Sequence, residues 1–145
     1  LGPIPPALVS CGTVEHPNAL TVAWTGIVNT HPPMTYVSVR PSRFSYDLIK
    51  NSGEFVVKLP SSPLTKAVDF CGVRSGKDID KFALMGLNAS PGQFVSAPLI
   101  EECPVNLECK VTQVLPLGSH DMFLAEILAV HVEDSLIDAT GKLHL

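Results

Sequence analysis

Two apolar runs near the C-terminal end constrain this chain most. Val105–Leu117 reads VNLECKVTQVLPL and Met122–Glu133 reads MFLAEILAVHVE. Both are rich in β-branched and aliphatic residues. The turn-forming Gly118-Ser119-His120-Asp121 separates them, which predicts one long antiparallel hairpin. Four further runs have strand character: Ala7–Glu15, Ala19–Thr30, Met34–Arg40 and Glu54–Pro60. The first three are joined by His16-Pro17-Asn18 and His31-Pro32-Pro33, so they predict a meander.

Between these strands the period changes. Phe44, Leu48 and Ile49 fall at helical spacing, and Gly53 stands just past the expected end. Ser61-Ser62-Pro63 is a helix start, predicted to run to about Phe70 and stop at Gly72. Asp78 is expected to cap a third short helix that ends at Gly86. Leu87–Cys103 is rich in loop residues. Strands, a helical insert, then strands again imply an antiparallel sheet closed into a small barrel, flanked or plugged by helices.

Composition agrees. Of 145 residues, 46% are hydrophobic and 17% charged, which describes a globular chain rather than a disordered one. The length suits a single domain over residues 1–145. The net charge of −4 argues against nucleic acid as a partner. No apolar run is long enough to cross a bilayer. Cys11, Cys71, Cys103 and Cys109 form no C-x-x-C pair, so reduced thiols and a cytoplasmic location are expected. Cys103 and Cys109 are read as packing residues that share one strand face if that strand begins early enough. The five histidines show no metal-ligand spacing. Gly72–Asp78 (GVRSGKD) fails as a phosphate loop, with too few residues between its glycines and Asp78 in place of Ser or Thr.

Several segments keep two readings. NALTVAWT (residues 18–25) could bring small residues and the hydroxyls of Thr21 and Thr25 against a flat ring. It could equally be an ordinary barrel strand. VRPSRFSYDLI (residues 39–49) places Arg40, Ser42, Arg43 and Ser45 at a helix N-terminus, where free N–H groups and a partial positive charge suit phosphate. In the bland reading Ser42 or Ser45 caps the helix and the arginines are solvated. If the strand continued, Arg40 and Arg43 would lie on opposite faces; a helix starting at Ser42 would let both turn inward. The segment 69–82 (DFCGVRSGKDIDKF) brackets Arg74 and Ser75 between Gly72 and Gly76, with Lys77 directly after and Lys81 beyond. It reads as a ligand-wrapping loop or as a plain connector. His120 sits at the hairpin turn beside Asp121, placed to meet a ligand or simply solvated.

Taken in order, NALTVAWTG, HPPMTYVSVRPSRFSYDLI, GEFVVKLP, DFCGVRSGKDIDKF and GSHDMFLAEI resemble the flavin reductase-like, FMN-binding split-barrel family, in particular its flavoredoxin branch. The resemblance runs from Pro6 to about Asp138. It implies a mainly β, six-stranded antiparallel Greek-key split barrel with a short helical insert. It also implies a homodimer with non-covalent FMN near the subunit interface. By position, Asn18, Thr21, Val22, Ala23, Trp24 and Thr25 would line the isoalloxazine. Ser38, Arg40, Ser42, Arg43, Ser45 and Tyr46 would surround the ribityl phosphate. Cys71, Gly72, Ser75, Gly76 and Lys81 would close over the flavin. His120 corresponds to a histidine on the nicotinamide side. Members of the family usually continue beyond the GKLHL at which this sequence stops, so a further C-terminal segment is expected. The implied activity is NAD(P)H-dependent flavin reduction, with NADH or NADPH as donor; the alternative is a flavoredoxin-type carrier that passes electrons to a redox protein.

Overall fold

A computed structural model describes Gly2 and Ile4–His144. Nine strands and three α-helices follow in order: β1 Ala7–Gly12, β2 Pro17–Val22, β3 Thr25–Thr30, β4 Pro33–Val39, α1 Phe44–Ser52, β5 Glu54–Leu59, α2 Thr65–Val73, α3 Lys81–Met85, β6 Ala89–Ser90, β7 Leu99–Ile100, β8 Val105–Pro116 and β9 Asp121–Val132.

Seven strands form one antiparallel sheet in the order β2-β1-β5-β8-β9-β4-β3; β6 and β7 make a separate pair. The predicted β8–β9 hairpin is its hub. The first half of β8 pairs with β5, and the first half of β9, at the other end of the hairpin, pairs with β4. Register shifts put one bulge into β9 at Leu128, opposite Glu108 and Cys109, and one into β8 at Thr112, and bulges bend and twist a strand. The predicted run Ala19–Thr30 breaks at Ala23-Trp24 into β2 and β3, so six expected strands become seven. That break shapes the fold. β2 and β3 lie at opposite edges of the sheet, yet only two residues join them, so the sheet must curl until its edges nearly meet. The edges do not pair with each other. The result is a barrel with an open seam at Ala23-Trp24.

Strand alternation sorts the core. Val9, Cys11, Val37, Val39, Phe55, Val57, Cys109 and Phe123 fill the barrel interior. Helix α1 plugs it, adding Tyr46 and Ile49. On the outer face Leu8 and Ala19 pack under α2 and α3 with Val68, Cys71 and Phe82. The loop 91–98 covers the outer face elsewhere, packing Val95 and Ala97 on Val56. Two buried ions hold that loop. The Lys58 amine donates to Ser10 Oγ, Val56 O and Pro98 O. The Glu108 carboxylate accepts the N–H groups of Gln93, Phe94 and Val95 and pairs with His131 Nε2 at 2.5 Å.

Some local expectations are corrected. Arg43, not a serine, occupies the N-cap of α1, and it makes no side-chain cap. Helix α2 follows a 3-10 turn at Ser62–Leu64 and continues through Gly72 to Val73. Asp80, rather than Asp78, caps α3, its Oδ1 accepting Ala83 N–H at 3.0 Å. Strand β8 begins at Val105, after Cys103. Cys103 therefore packs beneath the helices and Cys109 inside the barrel, not on one shared face. Gly53 ends α1 in the left-handed region (φ 69°), as its position suggested. All four cysteines are buried and free. Among the described residues, no helix is long and apolar enough to cross a membrane.

Candidate functional site

A groove follows the seam. Its outer part, about 170 Å³, is lined by Thr21, Val22, Ala23, Trp24, Ser38, Arg40 and His120. Its inner part, about 110 Å³, is lined by Ser42, Ser45, Cys71, Gly72, Ser75, Gly76 and Lys81. Leu20, Thr21 and Arg43 line both parts, which makes them one continuous site.

Its electrostatics are one-sided. Arg40, Arg43, Arg74 and Lys81 contribute to the lining, and no Asp or Glu does. Among the described residues the ion pairs are His131–Glu108 and His144–Asp138. The three arginines therefore lack carboxylate partners, in a chain whose net charge is −4. Unpaired guanidiniums stand there beside serine hydroxyls and the start of a nine-residue helix, donor chemistry of the kind that suits a dianion. Strand β4 ends at Val39, and a turn closes with Arg43 N–H donating to Arg40 O at 2.9 Å. This turn resolves the alternation question: both arginines reach the groove.

The inner wall is tightly built. Lys81 is buried, with its amine donating to Ala19 O at 2.7 Å and Cys71 O at 3.1 Å. Desolvation pushes that amine below its usual range. It pins α3 to β2 and α2, and Thr21 Oγ1 adds a bond to Val68 O at 2.5 Å. Gly76 passes so close to Asn18 that any Cβ would strike Asn18 Oδ1.

At the outer end Trp24, half exposed, packs on His120 with ring centroids 4.4 Å apart and planes tilted by 53°. Ser38 N–H donates to Trp24 O at 3.0 Å, fixing the seam residue against β4. His120 Nδ1 lies 2.9 Å from Ser119 Oγ, which leaves Nε2 free. Partial burial, then the charges of Arg40 and Arg43, push the imidazole below its usual range.

Fifteen of the eighteen residues singled out from the sequence line this groove. Asn18, Thr25 and Tyr46 stand behind it. Asn18 is buried; its Nδ2 donates to Ser45 Oγ at 2.8 Å, which removes Ser45 as a helix cap. Thr25 Oγ1 donates to Tyr36 O at 2.6 Å. Tyr46 is buried and faces Asp121. Three lining residues were missed: Leu20, Val39 and Phe44. Arg74, named in the ligand-wrapping reading of segment 69–82 though not among those eighteen, lines the inner part. Phe44 was counted only for its helical period.

Comparison with known proteins agrees with this geometry. The family model described as flavin reductase like domain matches residues 3–144. The chain is similar to the flavoredoxin of Desulfovibrio vulgaris (Miyazaki F), with a TM-score of 0.90 and 33% identity, covering 99% of this chain and 77% of that one. It is similar to an FMN-binding protein from Thermus thermophilus, with a TM-score of 0.84 and 26% identity over 99% of this chain and 83% of that one. In sequence it is 37% identical over 125 residues to an uncharacterised protein of Archaeoglobus fulgidus, covering 86% of this chain and 71% of that relative. A curled antiparallel sheet with an open seam, a one-signed groove along that seam and a family match over nearly every residue lead to one conclusion: this chain belongs to the flavin reductase like domain family, with the split-barrel fold of flavoredoxin.

Proposed function

We propose that the protein is an FMN-binding oxidoreductase that takes hydride from NADH or NADPH. One observation carries this reading: a groove with three arginines, a lysine and no carboxylate runs from a helix start to an aromatic mouth. The residues fit FMN at both ends. Ser42, Arg43, Arg74 and Ser75 supply charge and hydroxyls for a phosphate. Leu20, Val22, Ala23 and Trp24 supply a flat apolar bed for a ring. Bound there, the flavin would supply the redox chemistry, accepting a hydride and passing electrons to an acceptor.

The chain's own residues bind and orient. Arg43 bridges the two parts of the groove and anchors the dianion. Gly72 and Gly76 let the α2–α3 segment approach closely. Trp24 shields one side of the ring bed from water. His120, with Nε2 free, accepts a hydrogen bond from a carboxamide at the groove mouth and so positions a nicotinamide. No side-chain acid or base is required of the groove for hydride delivery.

A second reading is an electron carrier without pyridine-nucleotide activity, favoured by the likeness to flavoredoxin. Purified protein should show flavin absorbance or take up added FMN; failure of both sinks the two readings together. Anaerobic NADH or NADPH should bleach the bound flavin. A flavin that stays oxidised with both donors, yet exchanges electrons quickly with a reduced redox protein, would select the carrier.

The partner we assign is a second copy of the chain. β3 pairs only with β4 and leaves its other edge open. It exposes Ile27 and, at a bulge, Val28, at 66% and 49%. Beside it lies an apolar depression of about 320 Å³ that includes Ile4, Pro5, Ile27, Leu59 and Leu107. Open apolar edges invite pairing. Free buried thiols fit a reducing compartment, so we place the protein in the cytoplasm, as one flavin-binding domain over 1–145.

A further inference from the structure

Asn18 has two faces. Its amide nitrogen is spent on the groove side, donating to Ser45 Oγ at 2.8 Å and to Cys11 Sγ at 3.4 Å. Its carbonyl oxygen lies against Gly76. Among the described residues nothing donates to that oxygen, although Asn18 is only 4% exposed. Every fully buried side-chain polar atom among them has a partner, so Asn18 Oδ1 is not sealed in and reaches open space. The space that Asn18 lines is a depression of about 440 Å³ behind the groove, within the size range of small-molecule pockets.

The β1–β2 turn, α1 and the segment before α3 enclose this depression. Phe44 and Leu48, one helical turn apart, give it an apolar side, and Phe44 is 40% exposed. Glu15, Asp78 and Asp80 also line it, against one ammonium, Lys77, and the imidazole of His16. None of the three carboxylates has a Lys or Arg within ion-pair distance among the described residues. Nor do they converge, since no three His, Cys, Asp or Glu side chains there gather as metal ligands. Each observation selects a ligand property. A nearly buried carbonyl oxygen without a partner requires a donor. Free, dispersed carboxylates favour positive charge spread over an organic cation, not a bare metal ion. An exposed phenyl ring takes a cation over its face or an apolar body against it. We propose that this depression is an effector site for a primary ammonium on an apolar body, the ammonium on Asn18 Oδ1 and the body on Phe44 and Leu48. It stands back to back with the flavin groove: Phe44 and Gly76 line both, and Asn18 links them through Ser45. A cation held there attracts an anion held at the phosphate end. The site stands on its own residues; only this coupling rests on the flavin reading. The ammonium has two sources, a free amine or an amino acid whose carboxylate meets Lys77.

Calorimetric titration of phenethylamine, its N-acetyl derivative and free phenylalanine into flavin-free and FMN-loaded protein tests this. Phenethylamine should bind saturably, and the N-acetyl derivative ~10-fold more weakly or worse, the scale of a charge-assisted hydrogen bond. Glu15→Gln and Asp78→Asn, both exposed and neither lining the groove, should each weaken phenethylamine ~2- to 3-fold, the scale of an exposed ion pair. Both should leave FMN affinity in the absence of amine unchanged. FMN should tighten phenethylamine by ~2-fold or more, as opposite charges across a thin wall do. Phenethylamine should tighten FMN by the same factor, and riboflavin should show neither effect. Phenylalanine binding tighter than phenethylamine, with the advantage lost in Lys77→Ala, assigns the site to an amino acid; the reverse order assigns it to a free amine. No saturable binding of either ammonium, equal binding of the N-acetyl derivative, or variants without effect overturns the site. Amine binding that is identical with and without FMN overturns the coupling. If FMN does not bind, the flavin reading fails by itself, and titration of the flavin-free protein still decides the site.

Discussion

Tyr46 Oη donates to Asp121 Oδ2 at 2.6 Å. This bond ties α1, which begins at the phosphate end of the groove, to the hairpin residue next to His120. The hydrogen bond to Asp121, aided by burial, pushes the phenol up, so it remains a donor throughout the physiological range. Tyr46→Phe should leave the barrel folded and loosen the hairpin tip. Amide exchange at residues 117–121 should quicken, and FMN affinity should fall ~5-fold, the scale of one lost hydrogen bond. Unchanged exchange at the tip would show that Asp121 is held by its strand pairing with β4 and β8 alone.

Arg43 is the only cation lining both parts of the groove. Arg43→Ala should cost FMN binding roughly 10- to 100-fold, as expected for a charge-assisted contact, and riboflavin less than about two-fold. Titration of both ligands by flavin fluorescence checks this. Equal losses would mean that Arg43 holds no phosphate.

Gly76 has no room for a side chain. A methyl there must displace Asn18, which is buried and bonded to Ser45 and Cys11. Gly76→Ala should lower stability by ~1–3 kcal/mol, as overpacking does, and should weaken FMN binding through Ser45. Denaturant melts with and without FMN separate the two effects. An unchanged midpoint would show that the α2–α3 loop yields instead.

Stability should pass through a maximum on the alkaline side. Desolvation pushes buried Lys58 down to about 7. Between pH 7 and its unfolded value near 10.5, the unfolded chain holds the extra proton. Stability therefore rises with pH in that window, by at most about 1.4 kcal/mol per unit. Burial pushes Cys103 up to about 11 and Cys109 up to about 12, from 9.0. Above pH 9 the folded chain keeps protons that the unfolded chain loses, and stability falls. Urea melts from pH 6.5 to 10 at constant ionic strength should peak between pH 8 and 9.5. Lys58→Met should flatten the rising limb; a rise unchanged in that variant assigns it to another group.

The open edge of β3 gives the last test. Ile27→Asp places a charge on the most exposed apolar residue of that strand. Light scattering should then find a monomer where the parent chain gives a dimer. A parent chain that is already monomeric removes the assigned partner.

What was legible in the sequence is what local pattern determines. The strand runs, the glycine end of α1 and the ordered groove segments all depend on residues within a few positions of each other. What was hidden depends on distant chain. Nothing in ALTVAWTGIVNT marks the break at Ala23-Trp24, because its strand character runs through it; the break shows only once β2 and β3 stand at opposite edges of a sheet completed a hundred residues later. Ser45 looked like a cap because its true partner, Asn18, is 27 positions away. Lys58 and Glu108 are charged residues within strand runs, and nothing local marks them as buried. They are buried because loop 91–98 lies over them, at sequence separations of up to 40 residues. Asp78 was the expected cap of α3, but the helix starts later, at Lys81, and Asp80 caps it.

The seam at Ala23-Trp24 has a mechanical consequence. A closed barrel is a hoop, in which stress at one joint is shared by every other. This sheet is a clasp bracelet: its two free ends are held by two residues of chain and by the bond from Ser38 to Trp24. A ring seated in the gap would bear on both ends together. Occupancy would then tighten the whole circumference, and emptying the gap would release it first at Trp24. The tryptophan, the only one in the chain, stands at that gap as its built-in optical reporter.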